Sequence, residues 1–312
     1  MTDTKAPIFS LLDLQKGLQQ DEFRRCLTDL GIFYITDYGV SDAEHDIVRK
    51  TVTHFFEHGS EEEKAAVISK VPAVRRGYLK LEAESTAKVT NAGEYSDYAI
   101  AYSMGVKDNL FPSREFENFL TPYFQSYYRA AQGIAREVLT TMGIDFGGHM
   151  DSFLECDPLF RFRYYPDVPE HRCAEYQPLR VAAHYDLSIV TMIQQTPCPN
   201  GFVSLQCEVD GKYEDLPYIP GACVVQCGAV LAIVSSGKTK APKHQVAAPP
   251  CRQQVGSSRS ANIFFLRPKP EFKFSVPLAR ACGLDVSLTG ETATFKEWVS
   301  GNYANMHEKR VE

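Results

Sequence analysis

The chain changes its hydrophobic periodicity once, near Phe153, and that change limits the folds open to it. Up to about Met142 the apolar residues recur at helical spacing. Beyond Phe153 they gather in short runs over residues 159–165, 187–194, 201–209, 222–226, 230–234, 261–266 and 272–276, separated by Gly, Pro and Asn turns. No long helical pattern lies between these runs, which argues against parallel βαβ units and for antiparallel pairing. The expected fold is mainly β with flanking helices: a double-stranded β-helix (jelly roll) core with N-terminal helices packed on it.

Within the first half, Leu12, Leu18, Phe23, Leu27 and Leu30 predict a helix that Gly31 stops, followed by a short strand at 32–35. Ser41 with Glu44 forms a capping box for a second helix, whose expected face is Ile47, Val48, Val52, Phe55 and Phe56. Ser60 with Glu63 opens a shorter one. Residues 71–105 are rich in turn formers and read as a long irregular segment. The strongest helical pattern covers 114–142 and is closed by Gly143; a last helix is expected over 293–299. The apolar-rich stretch from Ala222 to Val234 reads as two buried strands. With no internal repeat or Pro/Ser linker, one domain over residues 1–312 is the economical expectation: a helical part about 1–150, a jelly-roll core about 155–280 and a C-terminal stretch about 290–312.

Charge and composition exclude several classes. The 33 Lys+Arg against 39 Asp+Glu leave a net charge of −6, which argues against a dedicated nucleic-acid binder. No apolar run reaches membrane-spanning length, and the N-terminal MTDTKAPIFSLLDL lacks the apolar core of a secretion signal. The nine cysteines are scattered, with no CxxC pair, so they are expected to be small buried hydrophobes in a reducing cytoplasm.

The residues with the clearest chemistry are His184-Tyr185-Asp186. On a strand, positions two apart share a side, so His184 and Asp186 could face one cation. His244 is the only histidine between Asp186 and His307 and would supply a third ligand. Two imidazoles and a carboxylate on one face of an octahedron leave three positions open, the arrangement of mononuclear non-haem Fe(II) oxygenases. A zinc hydrolase would accept the same set. Arg259 precedes an apolar strand and has an electrostatic rationale. Fe(II) with this ligand set carries +1, a chelating keto-acid dianion makes the site −1, and the distal carboxylate then needs a fixed cation. Arg161 and Arg163 alternate with Phe160, Phe162 and Tyr164, placing both guanidiniums on one strand face, where they could bind a substrate carboxylate. Arg75-Arg76-Gly77 reads as a second anion clamp or a surface turn, with Arg76 on the surface.

The His184-x-Asp186, His244 and Arg259 pattern resembles the 2-oxoglutarate/Fe(II)-dependent dioxygenases of the isopenicillin N synthase-like group. The resemblance is strongest to the penicillin ring-expandase and hydroxylase branch, the deacetoxycephalosporin C synthases. It is carried by segments such as RRGYLKLEAESTA, LFRFRYYPDVPEHR, HYDLSIVT, KAPKH, GSSRS and GNYANM, and extends from about Phe9 to Met306. It implies iron at the barrel mouth, held by His184, Asp186 and His244, with 2-oxoglutarate and O2 as co-substrates. Arg259, with Ser260 and Arg163, would hold the oxoglutarate. Arg75, Arg161, Arg163, Thr191, Asn302 and Asn305 would line the substrate region, and the stretch after Trp298 would act as a mobile lid. A ferryl species would abstract hydrogen from a penam/cephem-type carboxylate, leading to ring expansion or hydroxylation.

Three departures cluster at the expected pocket. The family's serine at position 261 is Ala261, a loss of about 1.5–3 kcal/mol in oxoglutarate binding unless another donor replaces it. Val181-Ala182-Ala183 replaces the usual Met-Ala-Pro or Met-Gly-Pro, and Gln226 stands where a bulky apolar residue is usual. No metal ligand is lost, so the expectation is a live iron oxygenase of secondary metabolism. The alternatives are the same chemistry on a non-β-lactam small molecule, a keto-acid-independent oxidase like isopenicillin N synthase, or a non-catalytic jelly roll. The expected partners are small molecules, without nucleic acid or membrane, and the chain is expected to be monomeric or weakly oligomeric.

Overall fold

The computed structural model describes residues 5–68 and 75–306, with side chains to residue 301. Two main sheets contain β1 (Ile8–Ser10), β2 (Ile32–Thr36), β3 (Gly77–Leu79), β4 (Ile100–Gly105), β5 (Leu159–Tyr165), β6 (Leu179–His184), β7 (Val190–Gln195), β8 (Leu205–Val209), β9 (Lys212–Asp215), β10 (Cys223–Cys227), β11 (His244–Ala247) and β12 (Arg259–Leu266). The larger sheet has the order β1-β2-β10-β7-β12-β5-β4-β3 and the smaller β6-β11-β8-β9. Apart from β1 with β2, the pairs are antiparallel. The jelly-roll expectation therefore holds.

Strand alternation gives the large sheet two different faces. Tyr34, Ile193, Val224 and Ala261 pack inward against Val181, Leu205 and Val246 of the small sheet. Phe160, Phe162 and Phe264 point the other way, onto Tyr123, Phe124 and Tyr127 of the helix Arg114–Thr141. Each such fully buried aromatic stabilises the fold by about 1.5–3 kcal/mol.

Several expectations need correction. Residues 229–234 form the helix Ala229–Val234, not a strand. Ala229 to Ile233 are buried on every side, so the sequence carries no amphipathic period to betray the helix. The segment 71–105 contains β3, β4 and the short helix Thr86–Val89. Arg76 is buried rather than on the surface, its Nε donating to the Lys107 carbonyl at 2.9 Å. The first helix is two, Leu11–Gln15 and Gln20–Asp29, parted at Gly17 with φ +79°. Cys251 and Cys282 are half-buried; the other seven cysteines are buried, and none is in a disulfide.

Both capping boxes are present, on the helices Asp42–His58 and Glu61–Ala66. On the first of these Ile47 is 51% exposed, because it lies off the stripe Val48, Val52, Phe55, Phe56. His45 is buried instead. One ring nitrogen bonds the Tyr38 hydroxyl at 2.8 Å and the other the Tyr123 hydroxyl at 2.6 Å, while Asn262 of β12 donates to the same Tyr123 oxygen at 2.8 Å. Burial pushes the His45 pKa down to about 4. Between about pH 6.5 and 4 the unfolded chain takes up a proton there that the folded chain refuses. Stability is therefore intact above that window and falls through it, by about 3 kcal/mol in full and about 2 by pH 5. Urea midpoints at pH 7 and pH 5 should diverge less in His45→Gln than in the parent; an equal divergence removes His45 as the cause.

Candidate metal and oxoglutarate site

The two histidines are cross-strand neighbours. His184 ends β6, His244 opens β11, and the two residues pair directly in the antiparallel register. Asp186 lies two residues beyond the strand end, so the strand-face argument brings the right residues together for an incomplete reason. A tight turn swings its carboxylate back. The Asp186 carbonyl accepts from Ala229 N–H at 2.8 Å, and the Ser188 carbonyl accepts from Val230 N–H at 3.0 Å. The helix that the sequence disguised as a strand thus anchors the Asp186 turn. Gly228 is required there, since a Cβ would run into the Ser188 carbonyl.

Nε2 of His184 and Nε2 of His244 lie 3.7 and 3.8 Å from Asp186 Oδ1, and ligand atoms of all three residues lie within 4.8 Å of one another. His184 Nδ1 is 2.8 Å from the Ala182 carbonyl, so it carries the proton and leaves a lone pair on Nε2. Burial, with the His184 ring beside it, pushes His244 down to about 4, keeping it a neutral donor. Asp186 Oδ2 is buried without a hydrogen-bond partner among the described residues. Two neutral imidazoles and a carboxylate left short of partners are the donor set that fits Fe(II).

His184 and Asp186 line a cavity of about 460 Å³, together with Arg161, Arg163, Leu159, Phe265 and Thr86 among others. Arg259, Ala261, Ile263 and Phe265 share the inward face of β12. The Arg259 guanidinium is buried, lies over the Tyr165 ring at 5.1 Å, and donates to Gln195 Oε1 at 2.7 Å; no carboxylate pairs with it among the described residues. Arg180, missed in the sequence, is a second buried guanidinium without a carboxylate among the described residues, bonded to Ser257 Oγ at 2.8 Å and pushed down to about 10 by burial. Its setting in Leu179-Arg180-Val181 gave no signal beyond a charge inside a strand. Ser260 lies on the opposite strand face from Ala261, in register with Tyr164, so its hydroxyl does not occupy the place of the serine missing at 261.

The expected substrate arginines are already engaged. Arg161 makes two bonds to Glu84, Nη1–Oε2 at 2.7 Å and Nη2–Oε1 at 3.1 Å; Arg75 and Arg163 each approach the same carboxylate at 3.4 Å. Burial pushes Glu84 up, but Arg161, Arg75 and Arg163 outweigh it and hold the carboxyl well below the usual range. Arg163 also faces Asp97 Oδ2 at 3.6 Å. Glu84 and Asp97 escaped the sequence reading because nothing local marks a carboxylate that will meet Arg161 or Arg163 on a distant strand. Thr191 is buried, with its hydroxyl 2.9 Å from that of Ser188, and pairs in register with Phe265 and Gln226. Gln226 is 1% exposed and its Nε2 has no partner among the described residues. Asn302 and Asn305 fall on the helix Phe295–Met306, where their side chains lie outside the described residues. That helix packs against Thr86–Val89, which lines the cavity.

Comparison with known proteins settles the family. The chain is 56% identical to deacetoxycephalosporin C synthase of Amycolatopsis lactamdurans over 99% of its length and 98% of the relative's. It is 50% identical to deacetoxycephalosporin C hydroxylase of Streptomyces clavuligerus, over 99% and 98% of the two chains. The chain belongs to this synthase and hydroxylase family of 2-oxoglutarate-Fe(II) oxygenases. The 2OG-Fe(II) oxygenase superfamily model matches residues 156–268, and that of the non-haem dioxygenase in morphine synthesis N-terminal region matches 8–118. The crystal structure of a full-length Neurospora crassa protein in complex with alpha-KG and thymine shares the fold, with a TM-score of 0.77, 20% identity and 96% coverage of both chains. As a member of this family the chain is a 2-oxoglutarate-dependent dioxygenase using Fe(II), oxoglutarate and O2. No helix among the described residues is long and apolar enough to cross a membrane.

Proposed function

We propose that this oxygenase acts on a penam/cephem-type carboxylate, expanding the ring or hydroxylating it, with iron held by His184, Asp186 and His244. The observation that carries the co-substrate assignment is Arg259: a buried guanidinium with no carboxylate partner among the described residues, in the barrel that holds the triad. Such a charge is costly to bury unpaired, and the distal carboxylate of oxoglutarate offsets it. Gln195 holds the arginine fork in place, its own Nε2 tied to the Leu216 carbonyl at 2.8 Å. When bound, iron with oxoglutarate and oxygen supplies the oxidising power for hydrogen abstraction. The protein's own residues then orient the substrate: Arg161 and Arg163 leave a positive lining that a carboxylate can join, and Leu159 and Phe265 present apolar surface to the ring. The C-terminal helix would act as the lid. The family identity favours a β-lactam substrate, and nine free cysteines favour a reducing cytoplasm, where the chain would act alone or in weak association.

A second reading, the same chemistry on a non-β-lactam molecule, is favoured by the Gln226 Nε2, which has no partner among the described residues, in the strand beside Thr191. One experiment separates the readings: anaerobic loading with Fe(II) and oxoglutarate, then oxygen with a panel of penicillins and cephalosporins, scoring succinate and product mass. Loss of two hydrogens marks expansion and gain of one oxygen marks hydroxylation. Product without succinate establishes the keto-acid-independent reading. Succinate without any panel product moves the substrate outside the β-lactams, and absence of iron binding removes the scheme.

Arg259→Gln should weaken oxoglutarate binding by about 2–5 kcal/mol, at least about 30-fold, with Fe(II) affinity unchanged. Anaerobic titration checks this, and unaltered oxoglutarate affinity would leave Arg259 without the assigned role.

A further inference from the structure

Two thiols and a carboxylate meet in a group separate from the triad. Ligand atoms of Cys173, Glu175 and Cys251 lie within 4.8 Å of one another. Cys173 follows the short 3-10 turn Glu170–Arg172 and is fully buried; Cys251 begins the turn Cys251–Gln253 and is half-buried; Glu175 stands at the surface. The fold holds these segments together by other means as well. Ala174 N–H donates to the Pro249 carbonyl at 2.9 Å, and Cys251 N–H donates to Glu175 Oε2 at 2.9 Å. Further along, Asp167 accepts from Gly256 N–H at 2.9 Å and Ser258 N–H at 2.7 Å. The three donors are therefore carried on a pre-braced pair of loops rather than on loose surface chain.

The donor types choose the ion. Two sulfurs in three donors disfavour calcium and magnesium, which take oxygen. They also differ from the nitrogen and oxygen set of the triad. In a tetrahedral site with metal–sulfur bonds of about 2.3 Å, the sulfurs lie about 3.8 Å apart, so the group needs only a small inward shift to close on an ion. The exposed side at Glu175 leaves a path for entry and a fourth position for water.

We propose that Cys173, Glu175 and Cys251 form a second metal site, for a thiophilic divalent cation of the zinc class. Binding replaces both thiol protons: one M²⁺, two thiols and one carboxylate give a bis-thiolate carboxylate complex of net charge −1 and two protons released to solvent. The ion cross-links residues 173–175 to the segment that leads from Cys251 to Arg259. It is a brace for the strand carrying Arg259, and it takes no part in oxygen chemistry.

The test uses the reduced full-length chain titrated with Cd(II) without oxygen. Any cadmium in the His/Asp/His triad lacks a thiolate ligand, so the ultraviolet thiolate-to-cadmium charge-transfer band reports on cysteine sites alone. The expected result is a band whose final intensity corresponds to one bis-thiolate cadmium per chain, with two protons released. Cys251→Ala should lose the band, Glu175→Gln should keep it with affinity reduced about tenfold or more, and Cys282→Ala should match the parent. Far-ultraviolet circular dichroism confirms that each variant is folded; if Cys251→Ala is not, Cys251→Ser replaces it and should show a weakened, blue-shifted band. No band in the parent, or an undiminished band in the folded Cys251 variant, overturns the proposal.

Discussion

Asp186→Ala should lose Fe(II) binding and turnover together while keeping its fold. The Asp186 Oδ1 atom faces both imidazoles, at 3.7 and 3.8 Å, and no other carboxylate belongs to that group. Without it a cation would sit between two neutral rings, in a site that supplies no negative charge. Changes to groups merely supporting a ligand cost 10–100-fold in metal affinity, so removing a ligand should cost more than about 100-fold. The turn itself should survive, because its ties to the helix Ala229–Val234 run through backbone carbonyls, not through the Asp186 side chain. The iron-free variant should melt no lower than the iron-free parent, since a buried carboxylate oxygen without a partner has been removed. Added Fe(II) should raise the melting temperature of the parent and leave that of the variant unmoved. A variant that still binds iron with comparable affinity would sink the metal assignment.

Glu84→Ala should destabilise the protein by about 3–5 kcal/mol, the usual cost of removing one partner from a buried ion cluster. Glu84 is buried and shared by Arg161, Arg75 and Arg163, so its loss leaves guanidiniums facing one another with little water to separate them. The effect has a pH signature. Because the arginines depress its pKa, the Glu84 contribution is complete at neutral pH and is lost only as pH falls below about 4.3, where the unfolded carboxylate begins to protonate. That window lies below most of the His45 one, so the two can be told apart. Urea unfolding at pH 7 reads the difference directly. A change of under about 1 kcal/mol at constant slope would mean that the arginines find other partners. The same substitution should strengthen small carboxylate anions as stabilisers, because the arginines are then short of a counter-charge.

Legibility in the sequence followed the range of the forces involved. Ser41 with Glu44 and Ser60 with Glu63 announced their helices because a capping box is closed within four residues. Leu159–Tyr165 was legible as a strand because alternation of arginine with aromatic is local. The 229–234 helix was not, because burial on all sides erases the period by which a helix is recognised. β6 and β11, which carry the two histidines, did not stand out, β6 because Arg180 interrupts its apolar run and β11 because it has only four residues, although the histidines themselves were found.

The sequence by itself determined the repertoire: the donor types His184, Asp186 and His244, an arginine, Arg259, suited to a keto acid, and a chain built from helices followed by short strands. Ligand identity is a property of individual side chains and is written one residue at a time. Only the tertiary structure decided which charges face which. It placed Glu84 among Arg75, Arg161 and Arg163, left Arg259 and Arg180 without a carboxylate among the described residues, and set Cys173 beside Cys251. Apart from the Arg75 contact, those outcomes depend on strand order and register between segments 64 to 81 residues apart, and burial then makes each pairing, or its absence, cost several kcal/mol.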